Sequence, residues 1–228
     1  MDEILRDALA KIYELVANGF KDLNAKLDKT SNDKQFINNE FYEINGKNTF
    51  VKLKANSFGI GKVLFAFVQF DETTKKLNTS MDVYMDMDDA MLFAQDILSG
   101  RIPSLAEQER AKGAQYPAAI WNSPMGGITE EKAKQRGLRQ DGKAISRMFN
   151  LAPGSRQPFV FTAEQRPGNT DAKGLIVPEK NGKPEVQIRV PSSNEDLKKM
   201  ALAIQSNINA YRTAQYANGA FNVNPSNK

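Results

Sequence analysis

The chain has 228 residues, of which 40% are hydrophobic and 25% charged, enough to bury a core in one large domain or two small ones. It contains neither cysteine nor histidine, which excludes disulfides and thiolate metal sites and removes the commonest general base and metal ligand, and with them most hydrolase and zinc mechanisms. The net charge of +4 is unevenly spread: basic minus acidic residues give 5 − 7 = −2 for residues 1–33, 8 − 9 = −1 for 34–102, 7 − 5 = +2 for 103–145 and 11 − 6 = +5 for 146–228.

In chain order, the first predicted element is an amphipathic helix within 1–33. Leu5, Leu9, Ile12, Val16, Phe20, Leu23 and Leu27 recur at spacings of three and four, and Asp2 and Glu3 complement the positive end of a helix. The polar stretch from Lys29 to Lys34 reads as a hinge. The apolar stripe is therefore expected to dock on a neighbouring subunit, making a homo-oligomer, or on the chain's own core. The opening residues are acidic rather than a basic and then apolar leader, and no stretch approaches the roughly 18 consecutive apolar residues of a membrane span. A cytoplasmic protein without a membrane partner is the expectation.

Residues 34–102 then present three strands and a helix, and residues 146–216 present the same order again, before a short tail at 217–228. The first set runs Phe50-Val-Lys-Leu-Lys54, Lys62 to Phe70, Ser80 to Asp86 and a helix to Gly100; the second runs Arg147-Met-Phe-Asn-Leu151, Pro158 to Gln165, Glu185 to Val190 and a helix from Ser192 to about Tyr211. Pairing Leu53 with Phe149, Val63 with Phe159 and Phe65 with Phe161 gives one offset (161 − 65 = 96). Pairing Met81 with Ile188, Val83 with Val190, Phe93 with Met200, Ala94 with Ala201 and Ile97 with Ile204 gives another (190 − 83 = 107), so 11 extra residues are expected between Pro167 and Pro184. There Gly174-Leu-Ile-Val-Pro178 is a candidate extra strand before a turn at Asn181-Gly182.

The segment 103–145 reads as a long inter-repeat connection. Ser104 with Glu107 has the spacing of a capping box. Trp121, the only tryptophan, is a candidate base-stacking platform or, alternatively, the side chain that seats the connection on the core. Between Lys132 and Arg147 stand six bases, Lys132, Lys134, Arg136, Arg139, Lys143 and Arg147, against the single acid Asp141. That run suits a polyanionic partner or is a solvated basic linker.

Other constellations point away from catalysis. Asp82, Asp86, Asp88 and Asp89 have the density of a Mg²⁺ site, but the last three sit at a strand-to-helix junction where carboxylates cap free N–H groups. The corresponding junction, Ser192-Ser-Asn-Glu195, is again a capping sequence with fewer acids. Gly59-Ile-Gly61 and Pro124-Met-Gly-Gly127 lack the context of phosphate loops, and no nucleophile–base pair is visible. No metal or cofactor is expected, and the chain reads as a non-enzyme.

Strand parity sets Val51 and Leu53 against Lys52 and Lys54, and Val186, Ile188 and Val190 against Gln187 and Arg189. Basic and aromatic side chains on a curved sheet make a surface for single strands, although any half-solvated antiparallel sheet alternates in this way. The pieces Lys62-Val-Leu-Phe-Ala-Phe-Val-Gln-Phe-Asp71, Met81-Asp-Val-Tyr-Met-Asp86, Ala90 to Arg101, Gly174 to Pro178 and Val186-Gln-Ile-Arg-Val190 with its helix resemble, in their order, the Whirly and transcriptional-coactivator (positive cofactor four)-like superfamily of single-stranded-DNA-binding proteins. The chain also resembles proteins encoded on conjugative elements and phages of Gram-positive bacteria. The resemblance spans about residues 36–211 and rests on topology, not on a short basic signature. It implies an α+β fold of two tandem antiparallel sheet-plus-helix repeats, a pseudo-dimer, behind the N-terminal helix.

The expected function is largely sequence-independent binding of single-stranded DNA, in conjugation or phage replication. Phosphates would meet Lys52, Lys54, Lys62, Arg147, Arg156, Arg166 and Arg189, and bases would stack on Tyr84 and Trp121. The alternative is a structural or assembly protein of a phage or conjugation apparatus that binds protein partners.

Overall fold

Alternation of apolar and polar residues dictates most of the strands. The computed structural model describes residues 39–179 and 183–218; the predicted N-terminal helix, most of the tail and the Asn181-Gly182 turn lie outside them. The first sheet is a meander of β1 (Glu40–Asn45), β2 (Thr49–Lys54), β3 (Lys62–Phe70) and β4 (Leu77–Asp86) in that spatial order, all antiparallel. It runs into α1 (Met87–Leu98), followed by α2 (Arg101–Ala111). The second sheet is built from β5 (Trp121–Asn122), β6 (Gly127–Ile128), β7 (Ala144–Pro153), β8 (Phe159–Thr170), β9 (Ile176–Pro178) and β10 (Val186–Ser192), with α3 (Glu130–Gln135) before β7 and α4 (Asn194–Ala217) closing the unit. Its spatial order is β10-β8-β7-β5, with β6 on β7 and β9 on β8. The protein is thus α+β, with two antiparallel sheets and four described helices.

The inner faces of both sheets and one stripe of α1 and α4 share a core. Val51, Leu53, Val63, Phe65 and Phe67 of the first sheet are fully buried, as are Phe149, Leu151, Phe161, Ile188 and Val190 of the second. The sheets meet at Phe149, whose ring centroid lies 4.9 Å from Phe65, 5.4 Å from Phe67 and 5.9 Å from Phe161. Ala90, Phe93, Ala94 and Ile97 on α1 and Leu197, Met200, Ala201, Ile204 and Ile208 on α4 fall at spacings of three and four and complete it. The central strand β3 is covered on its other face too, since Leu64 and Ala66 are also buried. Their cross-strand neighbours are Lys54 and Tyr84 for Leu64 and Lys52 and Asp82 for Ala66.

The registers of the two sheets correspond, with one shift. Phe65 faces Val83 and Phe161 faces Val190, which reproduces the offsets of 161 − 65 = 96 and 190 − 83 = 107. The first strand departs from the sequence alignment. Leu53 faces Phe65 whereas Leu151 faces Phe161, so Leu53 corresponds to Leu151 (151 − 53 = 98) and not to Phe149. The reason is the connection, 55–61 between β2 and β3 against the two-residue-shorter 154–158 between β7 and β8. A slip of two keeps the same face inward, so hydrophobic pattern alone does not register it.

Other local expectations are corrected. Ser104 is not a helix cap, because α2 starts at Arg101 behind Gly100, whose φ of 84° joins α1 to α2. Pro103 then falls in the first turn, where a missing N–H costs nothing. The stretch 103–145 is not a bare connection: β5 and β6 pair with β7 and extend the second sheet. The candidate strand at Gly174 to Pro178, by contrast, is present: the insertion in the second unit carries β9, which continues the ladder on β8 beyond β10.

Candidate nucleic-acid interface

The edge strand β4 supplies one wall of a groove. Met81, Val83 and Met85 point into the core, so Asp82 and Tyr84 stand on the outer face, with Lys62 at the start of β3 paired to Asp86. The facing wall is β6, α3 and the start of β7. Gly127 has φ +149° and approaches β7 so closely that a Cβ would lie 1.9 Å from the Ile145 carbonyl oxygen, so only glycine allows this approach. The Arg147 backbone N–H donates to the Gly126 carbonyl at 2.8 Å, fixing that residue on the wall. The short helix α3 is tied down by buried Ala133 and by Glu130, whose carboxylate accepts from Thr170 N at 2.8 Å and Thr170 Oγ1 at 2.7 Å. With that anchor in place, Lys132 and Arg136, four residues apart, share one exposed side of the helix.

The result is a groove of about 490 Å³ lined by Lys62, Asp82, Tyr84, Lys132, Arg136 and Arg147, with exposed Ile60 at its lip. Four cations face one carboxylate. Among the described residues Lys132 and Arg136 make no ion pair, Lys62 holds Asp86 at 2.8 Å, and Arg147 Nε donates to Gln165 Oε1 at 3.0 Å. Partial burial pulls the Arg147 guanidinium below its ordinary value, Asp82 and Tyr84 oppose that, and Arg136 adds to it. It remains a cation, because arginine keeps its proton under any shift of this kind. Tyr84 presents its ring to solvent, 47% exposed. Such a set can neutralise successive phosphates while offering one aromatic face for a base.

The other residues singled out in the sequence are placed elsewhere. Lys52 bridges Glu40 at 2.8 Å and Glu43 at 3.1 Å, and Lys54 reaches Glu40 at 3.1 Å, so the outer face of the first sheet is a charge-balanced lattice. The Lys52 hydrogen bond holds the Glu40 carboxyl below its usual range, and the same bond raises Lys52. Arg166 binds Glu164 on the outer face of the second sheet. Arg189 is exposed on β10. Arg156 lies with Arg110 at a separate depression of about 380 Å³ beside the β7–β8 turn. Trp121 stacks on Phe93 with centroids 4.0 Å apart and planes at 29°, and its ring is committed to the core. Of the residues named from sequence, the structure brings together Lys62, Tyr84 and Arg147.

The acidic junction is likewise resolved into pairs. Asp86 occupies the N-cap of α1 by backbone, but its side chain caps nothing and takes Lys62, while Asp88 takes Arg212 at 2.6 Å. At α4 the capping box is formed by Ser193 and Asp196.

Lys132, Arg136 and Asp82 complete the groove; the first two belong to the basic run that suits a polyanionic partner, and Asp82 to the acidic cluster. The basic run 132–147 was the available signal, but only part of it is used. Arg139 is spent on Asp141 and Glu185 at 2.6 Å each, and Lys143 on Glu179 at 2.7 Å.

No family model matches the chain, and no curated protein matches it. Among solved structures, that of the plant transcriptional regulator PBF-2 is similar at a TM-score of 0.42 and 10% identity, over 77% of this chain and 85% of that one.

Proposed function

We propose that this chain is a non-catalytic binding protein for single-stranded DNA, with the groove between β4 and the β6–α3–β7 wall as its primary contact. The observation that supports it is the convergence of Lys62, Lys132, Arg136 and Arg147 around the exposed ring of Tyr84. Phosphates are neutralised by the cations, and an unstacked base lies on the ring, which is a chemistry open to single strands and closed to a paired duplex. Backbone contact of this kind is largely indifferent to sequence. The two sheet-then-helix units with corresponding registers support a Whirly-like, pseudo-dimeric arrangement as the fold reading. A setting in conjugation or phage replication rests on the sequence resemblance alone.

The test is fluorescence anisotropy of labelled oligo-dT against a duplex of equal length at several salt concentrations. Three phosphate contacts, from Lys132, Arg136 and Arg147 with Lys62 held by Asp86, give a slope of log K on log salt near −2.1, at about −0.7 for each neutralised phosphate on a single strand. Tighter binding to the single strand with that slope is expected; equal affinity for duplex, or no salt dependence, overturns the reading.

A further inference from the structure

Asp82 is the anomaly of the groove. A site built for phosphate alone gains by losing a carboxylate, because each negative charge placed among the cations opposes the polyanion. Yet Asp82 stands on β4 in the groove, exposed, and its carboxylate makes no hydrogen bond or ion pair among the described residues. Arg147 and Arg136 are on the facing wall, but neither is bridged to it. Asp82 and Tyr84 are two positions apart on one strand face, which sets their side chains about 7 Å apart. A base lying on the Tyr84 ring therefore presents one edge toward the Asp82 oxygens.

An ionised carboxylate only accepts hydrogen bonds. Among the bases, guanine alone offers two adjacent donors on its pairing edge, N1–H and the N2 amine, a fork that a carboxylate accepts with both oxygens. Cytosine and adenine offer one amine beside a ring-nitrogen acceptor that repels the second oxygen. Thymine offers one N–H between two carbonyls. We propose that Asp82 reads the base seated on Tyr84 and gives the groove a preference for guanine at that one nucleotide, over backbone binding that is otherwise indifferent to sequence.

This rests on the single-strand reading of the groove, and the experiment separates the two. Anisotropy is measured with hepta-dT and with the same oligonucleotide carrying one central guanine, hypoxanthine, cytosine or adenine, for the parent and for Asp82→Asn. For the parent, the guanine oligonucleotide is expected to bind about tenfold more tightly than hepta-dT, the size of a good two-bond base contact. Hypoxanthine, which lacks the N2 amine, should lose most of that gain. Asp82→Asn should abolish the guanine preference, so that it binds the guanine oligonucleotide and hepta-dT equally. Equal parent affinities for guanine and thymine, or Asp82→Asn tightening every oligonucleotide by the same factor with the preference intact, overturn the assignment and leave Asp82 as a charge that balances Arg147. Hepta-dT binding with no base preference spares the groove reading; failure to bind any of the oligonucleotides at low salt overturns both.

Discussion

The outer face of the first sheet and the groove beside it are similarly rich in basic side chains, yet they are electrostatically opposite. On the sheet, Lys52 and Lys54 sit across from Glu40 and Glu43 on the neighbouring strand and are bonded to them. In the groove, Lys132 and Arg136 project from a short helix toward a strand whose nearest acid, Asp82, bridges none of the groove's cations. A row of lysines on a strand is thus no measure of available charge, because antiparallel pairing delivers a partner to each position. Cations carried on a different element, and aimed across a gap, keep their charge for a ligand.

Both surfaces rest on the same core, so the comparison is meaningful only if surface changes leave that core intact. Phe161→Ala supplies the reference and the largest effect. The ring is fully buried and lies 5.9 Å from Phe149, and its loss leaves a cavity worth about 3–5 kcal/mol in chemical or thermal unfolding. At a temperature where the variant is folded, its affinity for oligo-dT is expected to match the parent's. Lost binding with an unchanged melting temperature would invert the assignment of inner and outer faces.

The groove comes next. The double change Lys132→Ala with Arg136→Ala is expected to weaken oligo-dT binding ten- to a hundredfold at low salt and to make the salt slope about 1.4 units shallower, since two phosphate contacts are removed. Both residues are exposed, so the melting temperature should move little. Arg147→Ala is a less clean probe, because the guanidinium is half-buried and holds Gln165, and it carries a structural cost as well. Tyr84→Ala is expected to cost about tenfold, in the range of one stacked base, without altering the salt slope. An unchanged slope in the double variant, or a changed one in Tyr84→Ala, breaks the division of labour between phosphate and base contacts.

The same contrast explains what was legible in the sequence. The two sheets and the helices behind them follow from apolar periodicity, and the 96 and 107 offsets recur as actual strand registers at Phe65, Val83, Phe161 and Val190. The shift at Leu53 was invisible because loop length, and not hydrophobic pattern, decides it. The small strands β5 and β6 were invisible because two residues carry no periodicity. The groove depends on the second of these strands. Its far wall comes from Gly127 folding over Ile145, and the helix that carries Lys132 is anchored by Glu130 bonded to Thr170, forty residues away. The tryptophan illustrates the reverse case, an aromatic conspicuous in the sequence whose ring is stacked on Phe93.

The smallest effects should come from the lattice. Lys52→Ala with Lys54→Ala is expected to change oligo-dT affinity by less than about threefold, because each charge is already offset by a carboxylate and a half-exposed pair contributes at most about 1 kcal/mol. The pH dependence of stability gives a second handle. The Lys52 hydrogen bond depresses the folded-state value for Glu40, so the pair's contribution is present above the ordinary carboxylate range and is lost as pH falls through the depressed value. For Lys52, raised by the same bond, the contribution is present below the ordinary lysine value and is lost only as pH rises through the raised one. Between about pH 5 and pH 10 the pair is therefore constant, and Glu40→Gln should sit a fixed and small distance below the parent in melting temperature, converging with it only as pH falls through the depressed Glu40 value. Coincident curves at neutral pH would show that Glu40 stabilises nothing, and an affinity loss in the lysine variant equal to that of Lys132→Ala with Arg136→Ala would show that phosphate displaces the lattice and that both surfaces bind.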